Sequence, residues 1–132
     1  MEISTCRFNV RSYECDTYGH VNNAVYLNYL EFARMQALED RGFTLPVMQK
    51  NGYLVVVKKI EIEYHYPLFP NEEVVVKTFS ESAKNSSGVF KQQVLRDKDE
   101  KLSAEAIITW VFINLQGRPI PIPPEVREAF GI

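Results

Sequence analysis

The chain has 132 residues, of which 45% are hydrophobic and 24% charged, with a net charge of −2 and a pI near 5.7. This length fits one domain over residues 1–132 that buries roughly two-thirds of the surface exposed by the unfolded chain, and the composition excludes disordered and fibrous classes. The acidic balance excludes nucleic acid as the main ligand, because that needs a basic face able to neutralise several phosphates.

The first ten residues place Glu2 and Arg7 within a short mixed stretch without an apolar h-region, so no signal peptide is expected. No run of about 18 apolar residues occurs, and no membrane span is expected. Phe8 to Asp16 reads as a strand ending in a turn at Thr17-Tyr18-Gly19. Cys6 and Cys15 are read on this same strand, and their odd spacing sets them on opposite faces. No disulfide between them is expected, and they read as reduced thiols of a cytoplasmic protein.

From Ala24 to Leu38 apolar and aromatic residues dominate, and polar ones gather only at Glu39, Asp40 and Arg41. Asn22 suits an N-cap, and Gly42 sits where a left-handed residue would stop a helix. A helix apolar around most of its circumference should be enclosed rather than lie on a surface with one wet face. After a loop near Pro46 to Gly52, four strand-like segments follow: Tyr53–Tyr66, Glu73–Ser82, Gly88–Asp97 and Leu102–Leu115. Ile60, Ile62 and Tyr64 alternate with Lys59, Glu61, Glu63 and His65, which puts His65 on the wetter face. Turn signals at Pro67, Pro70-Asn71, Asn85 to Gly88, Asp97 to Lys101 and Gln116-Gly117 separate the segments and imply antiparallel neighbours. Pro123-Pro124-Glu125 opens a short final helix reaching about Phe130. The plan is α+β, with a sheet curled around one long central helix. A single sheet around a single helix leaves edges uncovered, so a homodimer, or a homotetramer built from it, is expected.

The chemistry concentrates between strand and helix. The stretch from Asp16 reads Asp, two residues, Gly19-His20-Val21-Asn22-Asn23, two residues, Tyr26, two residues, Tyr29, one residue, Glu31, two residues, Arg34. Position by position this resembles the signature of hotdog-fold acyl-CoA thioesterases related to 4-hydroxybenzoyl-CoA thioesterase. Glu63-Tyr64, Pro67-Leu68, Asn71 to Glu73 and the ending Gly117-Arg118-Pro119 with Pro121 to Pro124 extend the likeness along nearly the whole chain. The resemblance implies a hotdog fold and hydrolysis of an acyl-CoA or acyl-carrier-protein thioester without a cofactor. It also implies Asp16 as the catalytic carboxylate, either nucleophile or base toward water, and the backbone N–H of Asn23 as the oxyanion donor.

Elementary chemistry agrees with this. A thiol leaving group, with a pKa near 8.5 judged by cysteine, departs readily as thiolate. One carboxylate and a set of oxyanion donors therefore suffice. A helix N-terminus offers unpaired N–H groups and about half a positive charge, and a turn through Gly19 folds Asp16 toward it. Asn22 is read first as a cap. His20 either orients Asp16, touches substrate or bonds within the turn. Val21 and Tyr26 lie beside the site, while Glu31 and Arg34 read as a structural pair within the chain or across a dimer interface. Lys58, Lys59 and Lys84 are the candidate cations for substrate phosphates. With two histidines and dispersed cysteines no metal-ligand spacing occurs, and no G-x-S-x-G, P-loop or G-x-G-x-x-G motif is present. Two other readings use the same fold: a hydratase or dehydratase acting on acyl thioesters, and a non-catalytic domain that binds acyl-CoA.

Overall fold

The computed structural model describes residues 1–132. In chain order it runs β1 (Glu2–Asn9), α1 (Val25–Glu39), α2 (Leu45–Lys50), β2 (Tyr53–Tyr64), β3 (Glu73–Ala83), β4 (Ser87–Arg96), β5 (Lys101–Asn114) and α3 (Pro124–Phe130). The five strands form one antiparallel sheet in the order β1-β3-β4-β5-β2. Register shifts interrupt all four pairings, at Glu2/Ser4, Val57/Lys59, Ser80/Ser82 and Val94/Leu95. Such extra residues bend a strand and raise its twist, which curls this sheet around α1. Along β5 the buried residues Ala104, Ala106, Ile108, Trp110 and Phe112 alternate, as the side-chain period of a strand requires.

The α+β plan and the last four strands agree with the sequence reading to within two residues at each end. Four readings need correction. The first strand ends at Asn9, not Asp16, because the chain then turns through a 3-10 segment at Ser12–Glu14. Cys15 therefore leaves the strand that holds Cys6 and forms an isolated bridge with Val21; both thiols are free. The segment read as a loop near residues 46–52 holds α2, whose start is fixed by Thr44: its hydroxyl accepts the Val47 N–H, and Pro46 sits in the first turn. Consecutive strands are not all neighbours: β2 pairs only with β5, while β1 fills the far edge beside β3.

The fourth correction concerns α1. It lies over β1 and β3 and buries Tyr26, Tyr29, Leu30, Ala33 and Ala37, but Leu27, Asn28, Glu31 and Phe32 remain exposed. The helix is enclosed on one side only. Its polar tie to the sheet is Gln92, fully buried, whose amide donates to the Leu30 carbonyl (3.1 Å) and to Thr78 Oγ1 (3.0 Å). Arg34 Nη1 donates to Gln92 Oε1 at 3.0 Å, so Arg34 turns inward to Gln92 and forms no ion pair with Glu31. At the C-terminus Gly42 takes φ +86°, as anticipated, and Phe43 N–H returns to the Leu38 carbonyl at 2.9 Å.

Candidate active site

Between the end of β1 and the start of α1 the chain makes a closed loop. Asp16 N–H donates to the His20 carbonyl at 2.8 Å, Gly19 N–H to the Asp16 carbonyl at 3.0 Å and Val21 N–H to the Leu68 carbonyl at 2.9 Å. Gly19 adopts φ +79°, a conformation that residues with a Cβ disfavour, which lets the turn reverse within so few residues. Asp16 Oδ1 accepts the N–H groups of Tyr18 (2.9 Å) and His20 (3.4 Å), an Asx-turn that holds the carboxylate in place. No group of the chain donates to its second oxygen, Oδ2, which leaves it available to a ligand.

The N-cap expected at Asn22 falls instead at Ala24, two residues on, and Asn22 closes the turn that leads into α1. Its Oδ1 accepts the Ala24 N–H at 2.9 Å and its carbonyl accepts the Val25 N–H at 2.9 Å, while helical geometry begins at Val25. The N–H of Asn23 has no acceptor in the chain. The Asn23 carbonyl on the following peptide accepts from Tyr64 Oη at 2.9 Å, which fixes this turn from β2.

Asp16, His20, Val21, Asn23 and Tyr26 line one cleft of about 330 Å3, whose opposite wall is Tyr64 to Pro67. The structure thus brings together the carboxylate, the free N–H and the start of the helix. Tyr26 is buried; its hydroxyl lies 2.9 Å from Ser103 Oγ, which itself donates to the Tyr66 carbonyl at 2.6 Å. Serine has one proton to give, so Tyr26 donates to Ser103. Burial, ahead of the other influences, raises the Tyr26 pKa. The His20 ring packs edge-on against Phe69, with centroids 5.0 Å apart, and it is the backbone of His20, not its imidazole, that bonds Asp16. Of the three roles open to His20, hydrogen bonding within the turn is the one its backbone fills.

Several contributors escaped the sequence reading. Glu14 joins the loop to α1: its carbonyl accepts the Asn22 N–H at 2.9 Å, and its Oε1 accepts from Tyr29 Oη at 2.8 Å. Tyr29 is buried; desolvation first, and the Glu14 carboxylate second, push its pKa far above the ordinary tyrosine value. Tyr64 was placed on the buried face, yet it is partly exposed and walls the cleft. His65 is exposed as expected and lines the same wall. None of Lys58, Lys59 and Lys84 lines the cleft, and Lys59 is paired with Glu61 at 2.6 Å. Lys101 and Arg96 hold their charged ends 4.3 and 5.6 Å from the ring centre of Tyr66, a residue of the cleft wall, and Arg96 is also paired with Asp99 at 2.6 Å. The basic residues of a short β-hairpin gave no motif by which to find them.

The arrangement can hold a carbonyl between a carboxylate oxygen and an N–H at a helix start, which is what acyl transfer with a good leaving group requires. Comparison with known proteins bears on this. The thioesterase-like superfamily profile matches residues 10–130. The chain is 31% identical over 123 residues to the long-chain acyl-CoA thioesterase FadM of Escherichia coli, covering 92% of each. It is 30% identical over 122 residues to the chloroplastic acyl-acyl carrier protein thioesterase ATL2 of Arabidopsis thaliana, covering 92% of this chain and 65% of that one. The crystal structure of a DHNA-CoA thioesterase from Staphylococcus aureus superposes with a TM-score of 0.87 at 25% identity, over 97% of this chain and 88% of that one.

Proposed function

The chain belongs to the thioesterase-like superfamily, and we propose that it hydrolyses acyl thioesters of coenzyme A or of an acyl carrier protein to the free acid and thiol, with Asp16 as its catalytic carboxylate. The observation that carries this reading is the meeting of the Asp16 carboxylate and the unpaired Asn23 N–H in one cleft. The thioester carbonyl accepts from the Asn23 N–H. Asp16 Oδ2 then either attacks the carbonyl carbon, giving a mixed anhydride that water opens, or takes a proton from an attacking water. On both routes the carbonyl oxygen becomes an oxyanion facing the positive end of α1, and the C–S bond breaks with departure of the thiolate. Gly19 and His20 shape the turn, and Tyr26 and Val21 close the cleft behind the carbonyl.

The protein as a homodimer is part of the proposal. Strand β2 is a sheet edge of twelve residues with Val56 and Val57 about two-fifths exposed, and the outer face of α1 shows Leu27 and Phe32. An unpaired edge of this length, beside exposed apolar side chains, is commonly covered by a second copy. No helix is long and apolar enough to cross a membrane, and two free thiols support a reducing compartment such as the cytoplasm.

The test is release of thiol from a panel of acyl-CoAs. Asp16→Asn keeps the shape of the Asx-turn and removes the charge; turnover should fall at least 10³-fold, about the loss seen for a single essential group, with the melting temperature held within about 2 °C. Near-normal turnover of that variant would remove Asp16 from the mechanism. Tight binding of acyl-CoA with no thiol release by the wild type would instead favour the non-catalytic reading.

A further inference from the structure

The helix beside the candidate oxyanion donor does not itself hold that donor in place. Regular α1 begins at Val25, and Asn23 lies exposed two residues before it. In a longer helix the Asn23 carbonyl would accept the Leu27 N–H, but that N–H donates to the Ala24 carbonyl at 3.2 Å. The peptide that carries the Asn23 N–H has one tie, from the Val25 N–H to the Asn22 carbonyl at 2.9 Å. That tie runs back through Asn23 and Ala24, so it holds only while the peptide between them keeps its direction. The N–H of this second peptide is held from within the turn by Asn22 Oδ1, and its carbonyl from outside by Tyr64 Oη, which donates to it at 2.9 Å. Only the Tyr64 bond reaches beyond the turn.

Tyr64 is braced on both sides. It closes β2 opposite Ala104 of β5, and the N–H groups of the next two residues, His65 and Tyr66, both donate to the Ser103 carbonyl, at 2.7 and 3.1 Å. Its ring stands edge-on to that of Tyr26, with centroids 5.2 Å apart, and the Tyr26 hydroxyl in turn bonds Ser103. The phenol is thus a strut from an inner strand of the sheet to the turn that opens α1.

We propose that Tyr64 is a positioning residue for thioester hydrolysis: by holding the Asn23 carbonyl, its hydroxyl sets the direction of the Asn23 N–H that receives the oxyanion. The proposal rests on the thioesterase reading above and deepens it. A donor speeds the reaction only if it already points at the developing charge, since one that must swing into place keeps little advantage over water. A misplacement near 1 Å in such a site costs on the order of 100-fold in rate. A water in place of the phenol would satisfy the Asn23 carbonyl without fixing its direction, because nothing links it to the sheet. The thioester carbonyl becomes a strong acceptor only as its carbon is attacked, so the effect belongs to kcat rather than to substrate binding.

The experiment compares Tyr64→Phe with the wild type on the acyl-CoA that the wild type turns over fastest, read by thiol release. Phenylalanine keeps the ring against Tyr26 and removes only the donor. Referred to folded protein, counted by circular dichroism, kcat should fall about 10- to 100-fold, less than for loss of the N–H itself. KM should stay within about twofold, and so should the inhibition constant of the matching S-alkyl-CoA, a thioether with no carbonyl to use the site. Replacing Tyr64 by 4-aminophenylalanine, whose N–H reaches the same carbonyl, should restore most of the lost kcat. A tyrosine that only stabilises the fold would lower the melting temperature and leave kcat unchanged, and one that only shapes the cleft would weaken the thioether as well. Either result overturns the proposal and leaves the hydrolase reading intact, as does a 4-aminophenylalanine variant no faster than Tyr64→Phe. A wild type that releases thiol from no acyl-CoA ends the hydrolase reading and this proposal with it.

Discussion

Tyr29→Phe tests the link that holds the candidate catalytic loop against α1. The hydroxyl is buried and donates at 2.8 Å to Glu14 Oε1, while Arg11 N–H donates to the same oxygen at 2.7 Å. A hydrogen bond to a carboxylate is worth about 1.5–3 kcal/mol, and because Glu14 keeps its Arg11 partner the expected loss lies near the lower figure, about 1.5 kcal/mol at pH 7. The sign of the pH dependence follows from Tyr29's raised pKa. In the unfolded chain this phenol titrates near 10, whereas in the folded protein burial and Glu14 keep it protonated. Its contribution is therefore complete below pH 10 and is lost as pH rises toward the folded value, at about 1.4 kcal/mol per pH unit. The phenylalanine variant has no such proton, so the stability gap between the two proteins should close about one unit above pH 10. Urea unfolding followed by far-ultraviolet circular dichroism from pH 7 to 11.5 measures the gap. Tyr26, Tyr53, Cys6 and Cys15, whose pKa values are also raised, titrate in both proteins and cancel in the difference. A gap that stays constant across this range would refute the placement of the phenol.

Two further substitutions probe the frame around the cleft. Gln92→Leu removes the acceptor of Arg34 and the partner of Thr78 inside the core; about 2–3 kcal/mol of stability should be lost, measured by urea unfolding at pH 7. Gly19→Ala meets no neighbouring atom within 4 Å but is forced to φ +79°; it should cost about 1–2 kcal/mol and lower thiol release beyond what the loss of folded protein explains, since the turn it strains carries Asp16.

Much of the fold was legible because it rests on short-range physics. The four later strands announce themselves by β-branched runs between glycine and proline turns, and Gly42 and Pro123-Pro124 mark helix boundaries by their backbone restrictions alone. The sheet order was not legible: whether β2 pairs with β3 or with β5 depends on α1 and the crossing segment after Tyr64, which no local pattern encodes. The first strand was misplaced for a similar reason. The apolar and aromatic residues before Asp16 look continuous with those of β1, yet Glu14 ends the run by binding its own backbone neighbour Arg11.

The same contrast divides the site. Asp16, Gly19 and Asn22 to Tyr26 were readable because a turn and a helix start must be written in consecutive residues. The opposite wall, from Tyr64 to Pro67, reaches the cleft from about forty residues away, and Glu14 acts through a tyrosine fifteen positions on. The reading of α1 as enclosed failed in a way that informs function. Its exposed apolar residues, Leu27 and Phe32, are surplus to a helix buried on one side by its own sheet. A sequence that keeps them apolar fits the homodimer proposed above, and within one chain the helix leaves open both the cleft at its start and a cavity under its end.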